Sequence, residues 1–160
     1  MKRKTAYLGL FAAVAIIFGY VESLIPVFAG IPGVKMGLAN LAVLFILDRY
    51  SWREAALVSV VRILVIGFMF GNLFSIVYSL AGAALSLTVM NFLKKHSDFS
   101  LIGISVAGGV THNIGQLMVA IPATHTIGLL YYYAPALMVS GVVTGLLIGV
   151  LTKEVLKRIP

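Results

Sequence analysis

Six apolar stretches, residues 5–24, 36–47, 55–70, 75–92, 101–120 and 133–151, are parted only by short polar or Gly/Pro-rich joints. Apolar runs of roughly 17 to 20 residues match a hydrocarbon core crossed by helices, whereas barrel strands would alternate apolar and polar over about ten. These runs do not alternate. A mean hydropathy of +1.06 with only 11% charged residues is far from a soluble domain, in which about a quarter of residues carry charge. The expectation is one all-helical membrane domain, residues 1–160, with six spans. The second stretch is short for a bilayer at about 1.5 Å per residue, so either residues 31–35 dip into the membrane or its helix leans on its neighbours.

The net charge of +7 therefore reads first as a topology signal rather than as an affinity for nucleic acid. With the N-terminus in the cytoplasm, Lys2, Arg3, Lys4, Arg49, Arg53, Lys94, Lys95, Lys153, Lys157 and Arg158 lie inside, ten of the twelve basic residues. Only Lys35 falls outside, and Arg62 sits within the third span. Both termini are expected on the cytoplasmic side of a bacterial inner membrane. Lys2-Arg3-Lys4 ahead of an apolar run, with Val27 and Ala29 at cleavage spacing, imitates a signal peptide. That run exceeds the usual h-region of about 7 to 15 residues. There are no cysteines, which excludes disulfides, thiol catalysis and cysteine-ligated metal.

Topology gives each polar residue an approximate height. Glu22 lies near the outer end of span one, Asn40 about a turn below the outer end of span two, and Gln116 about a turn from the outer end of span five. Three spans thus place polar groups in one layer, with Asn72 and His125 near the same surface, His112 nearer the midplane and Arg62 lower still. Glu22 alone is equally a helix-end carboxylate wetted by interfacial water. Arg62 is harder to dismiss, since a charge at depth costs at least about 2.5 kcal/mol and normally faces a partner or a watery cavity. It either bridges to backbone carbonyls or Asp48, snorkels to the cytoplasm, or serves a ligand or coupling role.

The stretch GGVTHNIGQ, residues 108–116, sets His112 and Gln116 on one helical face at i, i+4, with Gly108 extending that face one turn inward. Together with Asn113 they form a polar groove suited to a ligand, or equally to interhelical hydrogen bonding. His112 and His125, thirteen residues apart, lack the close second ligand of paired-histidine metal motifs. With no aspartate-rich prenyl-diphosphate motif, P-loop, nucleophile elbow or dinucleotide turn, neither enzyme chemistry nor a cofactor is expected. Tyr131, Tyr132 and Tyr133 fit an interfacial aromatic belt, with room for one at a pocket mouth. Pro26, Gly30, Pro32 and Gly33 break the chain into a compact loop ending at Lys35, beside the N-terminus of span two. That position favours an anion, whether a solute or a lipid phosphate.

The stretch ESLIPVFAGIPGVKMGLANLAVLF, residues 22–45, resembles the signature of the small bacterial membrane family called Gx transporter, also known as heptaprenyl diphosphate synthase component I. The likeness extends over essentially the whole chain and includes GGVTHNIGQL. That family is similar in turn to the substrate-binding S components of energy-coupling factor (ECF) vitamin transporters. The resemblance implies six helices, a pocket near the outer face capped by the first loop, and substrate-binding residues Glu22, Lys35, Asn40, His112, Asn113 and Gln116. It also implies docking on a transmembrane coupling partner through small residues of the first helix. Gly9 with Ala13, and Ala15 with Gly19, have the small-x-x-x-small spacing, with glycine replacing one alanine in each pair.

The expected function is a membrane subunit that binds a small anionic or zwitterionic solute and takes it up with a coupling protein and a separate ATPase module. The alternative is a non-catalytic membrane subunit of heptaprenyl diphosphate or quinone synthesis. A third is a structural subunit without a ligand.

Overall fold

A computed structural model describes residues 2–24, 36–126 and 128–159. Six α-helices make up nearly all of it: α1 Lys2–Leu24, α2 Leu38–Arg49, α3 Trp52–Phe70, α4 Leu73–His96, α5 Leu101–Thr124 and α6 Ala134–Arg158. A π-helical turn, Leu129–Tyr133, leads into α6. The all-helical architecture follows from a low-dielectric surrounding in which each backbone N–H and C=O has to find a partner inside the chain. Large apolar side chains such as Phe68, Leu73 and Met118 point outward, as lipid tails allow. The stretches 25–35 and 127, and with them Lys35, lie outside the described residues.

Among the described residues, four helical stretches are long and apolar enough to cross a membrane: Thr5–Leu24, Leu73–His96, Leu101–Thr124 and Leu130–Arg158. The other two fall short for separate reasons. Helix α2 has only 12 residues, or about 18 Å of rise against a hydrocarbon core of about 30 Å. Helix α3 has 19 residues, and it carries Arg53, Glu54 and Arg62.

Local chemistry sets the helix starts. The Ser51 hydroxyl accepts from the Arg53 N–H at 3.3 Å, and the Asn72 side chain accepts from Ser75 N–H at 2.8 Å while Ser75 accepts in return from Asn72 N–H at 3.0 Å. Ser100 accepts from Gly103 N–H at 3.2 Å. Such caps satisfy donors that the first helical turn leaves without partners. Helix α2 begins differently: Gly37 holds φ 77°, a left-handed conformation that side chains other than glycine resist.

Basic residues close the opposite ends. Lys94 Nζ donates to the Leu47 and Asp48 carbonyls at 2.8 and 2.7 Å and lies 3.5 Å from the Asp48 carboxylate. Arg49 donates to the Leu156 and Ile159 carbonyls at 3.1 and 2.8 Å. The C-terminal ends of α2, α4 and α6 therefore share one end of the bundle, where cations meet exposed carbonyls.

Helix α5 is packed between α4 and α6 through glycine seams. An added Cβ on Gly109 would strike the Gly141 carbonyl oxygen, and one on Gly145 would lie 2.7 Å from Val106 Cα. On the other side, a Cβ on Gly115 would lie 2.7 Å from the Ala81 carbonyl oxygen. Small residues permit this backbone approach, which drives helix association where lipid removes the hydrophobic incentive. The largest buried cluster gathers Val43, Leu44, Ile46 and Leu47 of α2 with Ala15, Val58, Leu87, Ile104 and Ile148. The short helix α2 is thus enclosed by the long ones, buried at Ala39 and from Ala42 through Leu47.

Candidate functional site

A cavity of about 230 Å³ opens among all six helices, in the half of the bundle away from the C-terminal ends of α2, α4 and α6. Glu22, Asn40, Arg62, His112, Asn113 and Gln116 all line it. The structure thus brings together five of the six substrate-binding residues expected from sequence, and adds Arg62. Lys35 is the sixth and lies outside the described residues.

The six do different local work. The Glu22 carboxylate accepts from the Leu38 backbone N–H at 2.8 Å, where the N-terminus of α2 favours negative charge. Asn40 Oδ1 accepts from an Arg62 terminal nitrogen at 3.3 Å. Asn113 turns toward α6, its amide donating to the Leu137 carbonyl at 2.6 Å and reaching Ser140 Oγ at 3.5 Å. His112 and Gln116 press on α4 at Gly82, where a Cβ would come within 2.9 Å of His112 Nε2 and of Gln116 Cγ.

Among the described residues, two buried polar atoms on this wall find no partner, Arg62 Nε and Gln116 Oε1. Gln116 is only 6% exposed, so its orphaned oxygen is a real deficit, of the order of 1–3 kcal/mol. Arg62 is only partly buried, with Nε enclosed and, among the described residues, one long hydrogen bond for a charge inside a membrane bundle. Among the described residues no ion pair joins Arg62 to Glu22.

A smaller cavity of about 40 Å³ continues from the first, sharing Gly37, Asn40, Gly109, His112 and Thr144. Ser59, Ser86 and Ser105, one each from α3, α4 and α5, line this extension and are all buried. Ser86 Oγ donates to the Gly108 carbonyl at 2.8 Å.

Phe70, Ser75, Ser79 and Thr144 also line the main cavity and were not singled out from the sequence. Ser75 and Ser79 do stand at i, i+4, a spacing that could have marked a polar face of α4. Tyr131 and Tyr132 are exposed, and Tyr133 packs with Leu117, Ala134 and Leu137. Asn72 caps α4, and His125 ends α5 with φ 50°. Of the first-helix pairs, Gly9 and Ala13 face outward, while Ala15 is buried in the core and Gly19 lines the cavity beside Ile66. No group of three or more His, Cys, Asp or Glu side chains is close enough to hold a metal among the described residues.

A family model described as heptaprenyl diphosphate synthase component I matches residues 11–155. No curated protein and no solved structure matches the chain.

Proposed function

Because the chain belongs to the heptaprenyl diphosphate synthase component I family, we propose that it is a non-catalytic membrane subunit serving heptaprenyl diphosphate or quinone synthesis, with the cavity as its ligand site. The observation that carries this reading is the family match over residues 11–155, which takes in every residue lining the cavity. In this reading six helices sit in the bacterial inner membrane with both termini in the cytoplasm. The basic end, with Arg49, Lys94, Lys95 and Lys157, then faces the compartment where a catalytic partner works. Membranes lacking the chain, given that partner and a labelled prenyl diphosphate, are expected to form less heptaprenyl product. Adding back the purified chain restores the yield; an equal yield with and without it would refute the reading.

One observation favours a second reading. At about 230 Å³ and bounded by all six helices, the cavity suits a small polar solute better than a whole heptaprenyl chain. The ECF S-component resemblance supplies the corresponding function: binding of a small anionic or zwitterionic solute, energised by a coupling protein and an ATPase module. Solute uptake into vesicles only when those partners are co-reconstituted would favour this reading over the first.

A further inference from the structure

The geometry points to Arg62 as the group that anchors an oxyanion, carboxylate or phosphoryl, in the main cavity, with Asn40 holding the guanidinium ready for it. This rests on the reading of the cavity as the chain's ligand site and names the chemistry that the site selects.

Arginine carries five N–H donors in a planar fork and no acceptor, so a buried guanidinium is settled only by acceptors arranged around it. Among the described residues the fork has one hydrogen bond, to Asn40 Oδ1 at 3.3 Å, which is long for a charged donor. Its Nε is buried with no partner among the described residues. Position 62 lies in the middle of α3, Trp52–Phe70, far from either helix end, so the charge belongs to the interior of the bundle. Glu22 lines the same cavity and its charge acts on Arg62 at a distance, but among the described residues its carboxylate caps α2 and forms no ion pair with the guanidinium.

A second, independent deficit lies on the facing helix. Gln116, 6% exposed, lines the same space with Oε1 unpartnered. Both residues line one cavity, their orphaned atoms enclosed behind its surface, as in a site completed by a ligand with an oxyanion at Arg62 and a polar edge at Gln116. Two sources share that chemistry: the diphosphate head of a prenyl lipid, and a small soluble acid.

The test is calorimetric titration of the full chain in nanodiscs with inorganic diphosphate and, separately, with acetate. Binding of either is expected to weaken at least tenfold in Arg62→Gln and to be partly retained in Arg62→Lys. Diphosphate binding alone assigns the prenyl head, and acetate binding assigns the soluble acid. Because Arg62→Gln is also liable to misfold, Asn40→Asp is the second variant. It sets a carboxylate against the guanidinium in nearly the same shape, so the chain should become more heat-stable while losing the anion. Anion binding unchanged in a folded Arg62→Gln or Asn40→Asp chain, or no binding of either anion by the native one, would overturn the assignment. None of these outcomes depends on a partner or on heptaprenyl product, so this assignment and the proposed function fail separately.

Discussion

The Glu22 carboxylate and the Leu38 backbone N–H meet at 2.8 Å, tying the last turn of α1 to the first of α2. The contact satisfies an orphan donor where no side chain of α2 itself caps the helix. Glu22→Ala is expected to lower stability by about 1.5–3 kcal/mol, the usual worth of a hydrogen bond to a charged group. Glu22→Gln should recover part of that. Thermal unfolding of detergent-solubilised chain measures both, and equal melting temperatures for Glu22→Ala and the native chain would disprove the tie.

Glycines divide sharply by what surrounds them. Gly109→Ala would drive a methyl into the Gly141 carbonyl across the α5–α6 seam, and overpacking of this kind costs about 1–3 kcal/mol. Gly9 has nothing within 4 Å of an added Cβ, so Gly9→Ala should be neutral or stabilising by roughly 0.5–1 kcal/mol, the helix penalty of glycine. Comparing the two unfolding midpoints checks this, and the order should not reverse.

Orientation can be read directly, because the chain has no cysteine to confuse labelling. Ser97 follows α4 and Thr126 follows α5, at opposite ends of the antiparallel bundle. With both termini in the cytoplasm, Thr126→Cys reacts with an impermeant thiol reagent from outside intact cells and Ser97→Cys does not. The reverse pattern would invert the proposed topology.

Partner docking is expected on the outward pair of the first helix. Gly9 and Ala13 are both exposed, one helical turn apart, leaving room for another backbone to come close. Gly9→Leu with Ala13→Leu should abolish co-purification with the partner subunit while leaving anion titration of the chain unaltered. A double variant that still co-purifies in full would move the docking face elsewhere. Ala15 and Gly19 make no such test, since bulk there strikes the core or the cavity wall.

Hydropathy marked every helix but placed its ends by the lipid boundary rather than by hydrogen bonding. The third stretch was expected from residue 55, yet α3 starts at Trp52 because Ser51 caps it. The fourth and sixth stretches run on to His96 and Arg158, since a helix does not stop where water begins. The polar wall was partly legible, as the i, i+4 pair His112 and Gln116 shares a cavity with Asn40 and Glu22. Asn113, one residue on from His112, is rotated about 100° around the helix and bonds α6 instead. Thr144 could not have been found without knowing which helices are neighbours. Arg62 was conspicuous by its charge, but only the geometry shows its bond to Asn40 and its place on the cavity wall.

The glycine seams on both sides of α5 have a mechanical consequence. Backbones in direct contact leave no side-chain layer to shear, so α4, α5 and α6 move as one stiff slab. Helices α1 to α3 meet through ordinary side chains, with Gly19 against Ile66 and Phe11 against Phe45, and these slide more readily. Helix α2 is held to that slab by the Lys94 and Arg49 hydrogen bonds and by the shared core, so any breathing that admits a molecule to the cavity falls first to the seams of α1 and α3. Arg62 rides on α3 and His112 and Gln116 on the slab, so a molecule gripped by both would latch the door it came through.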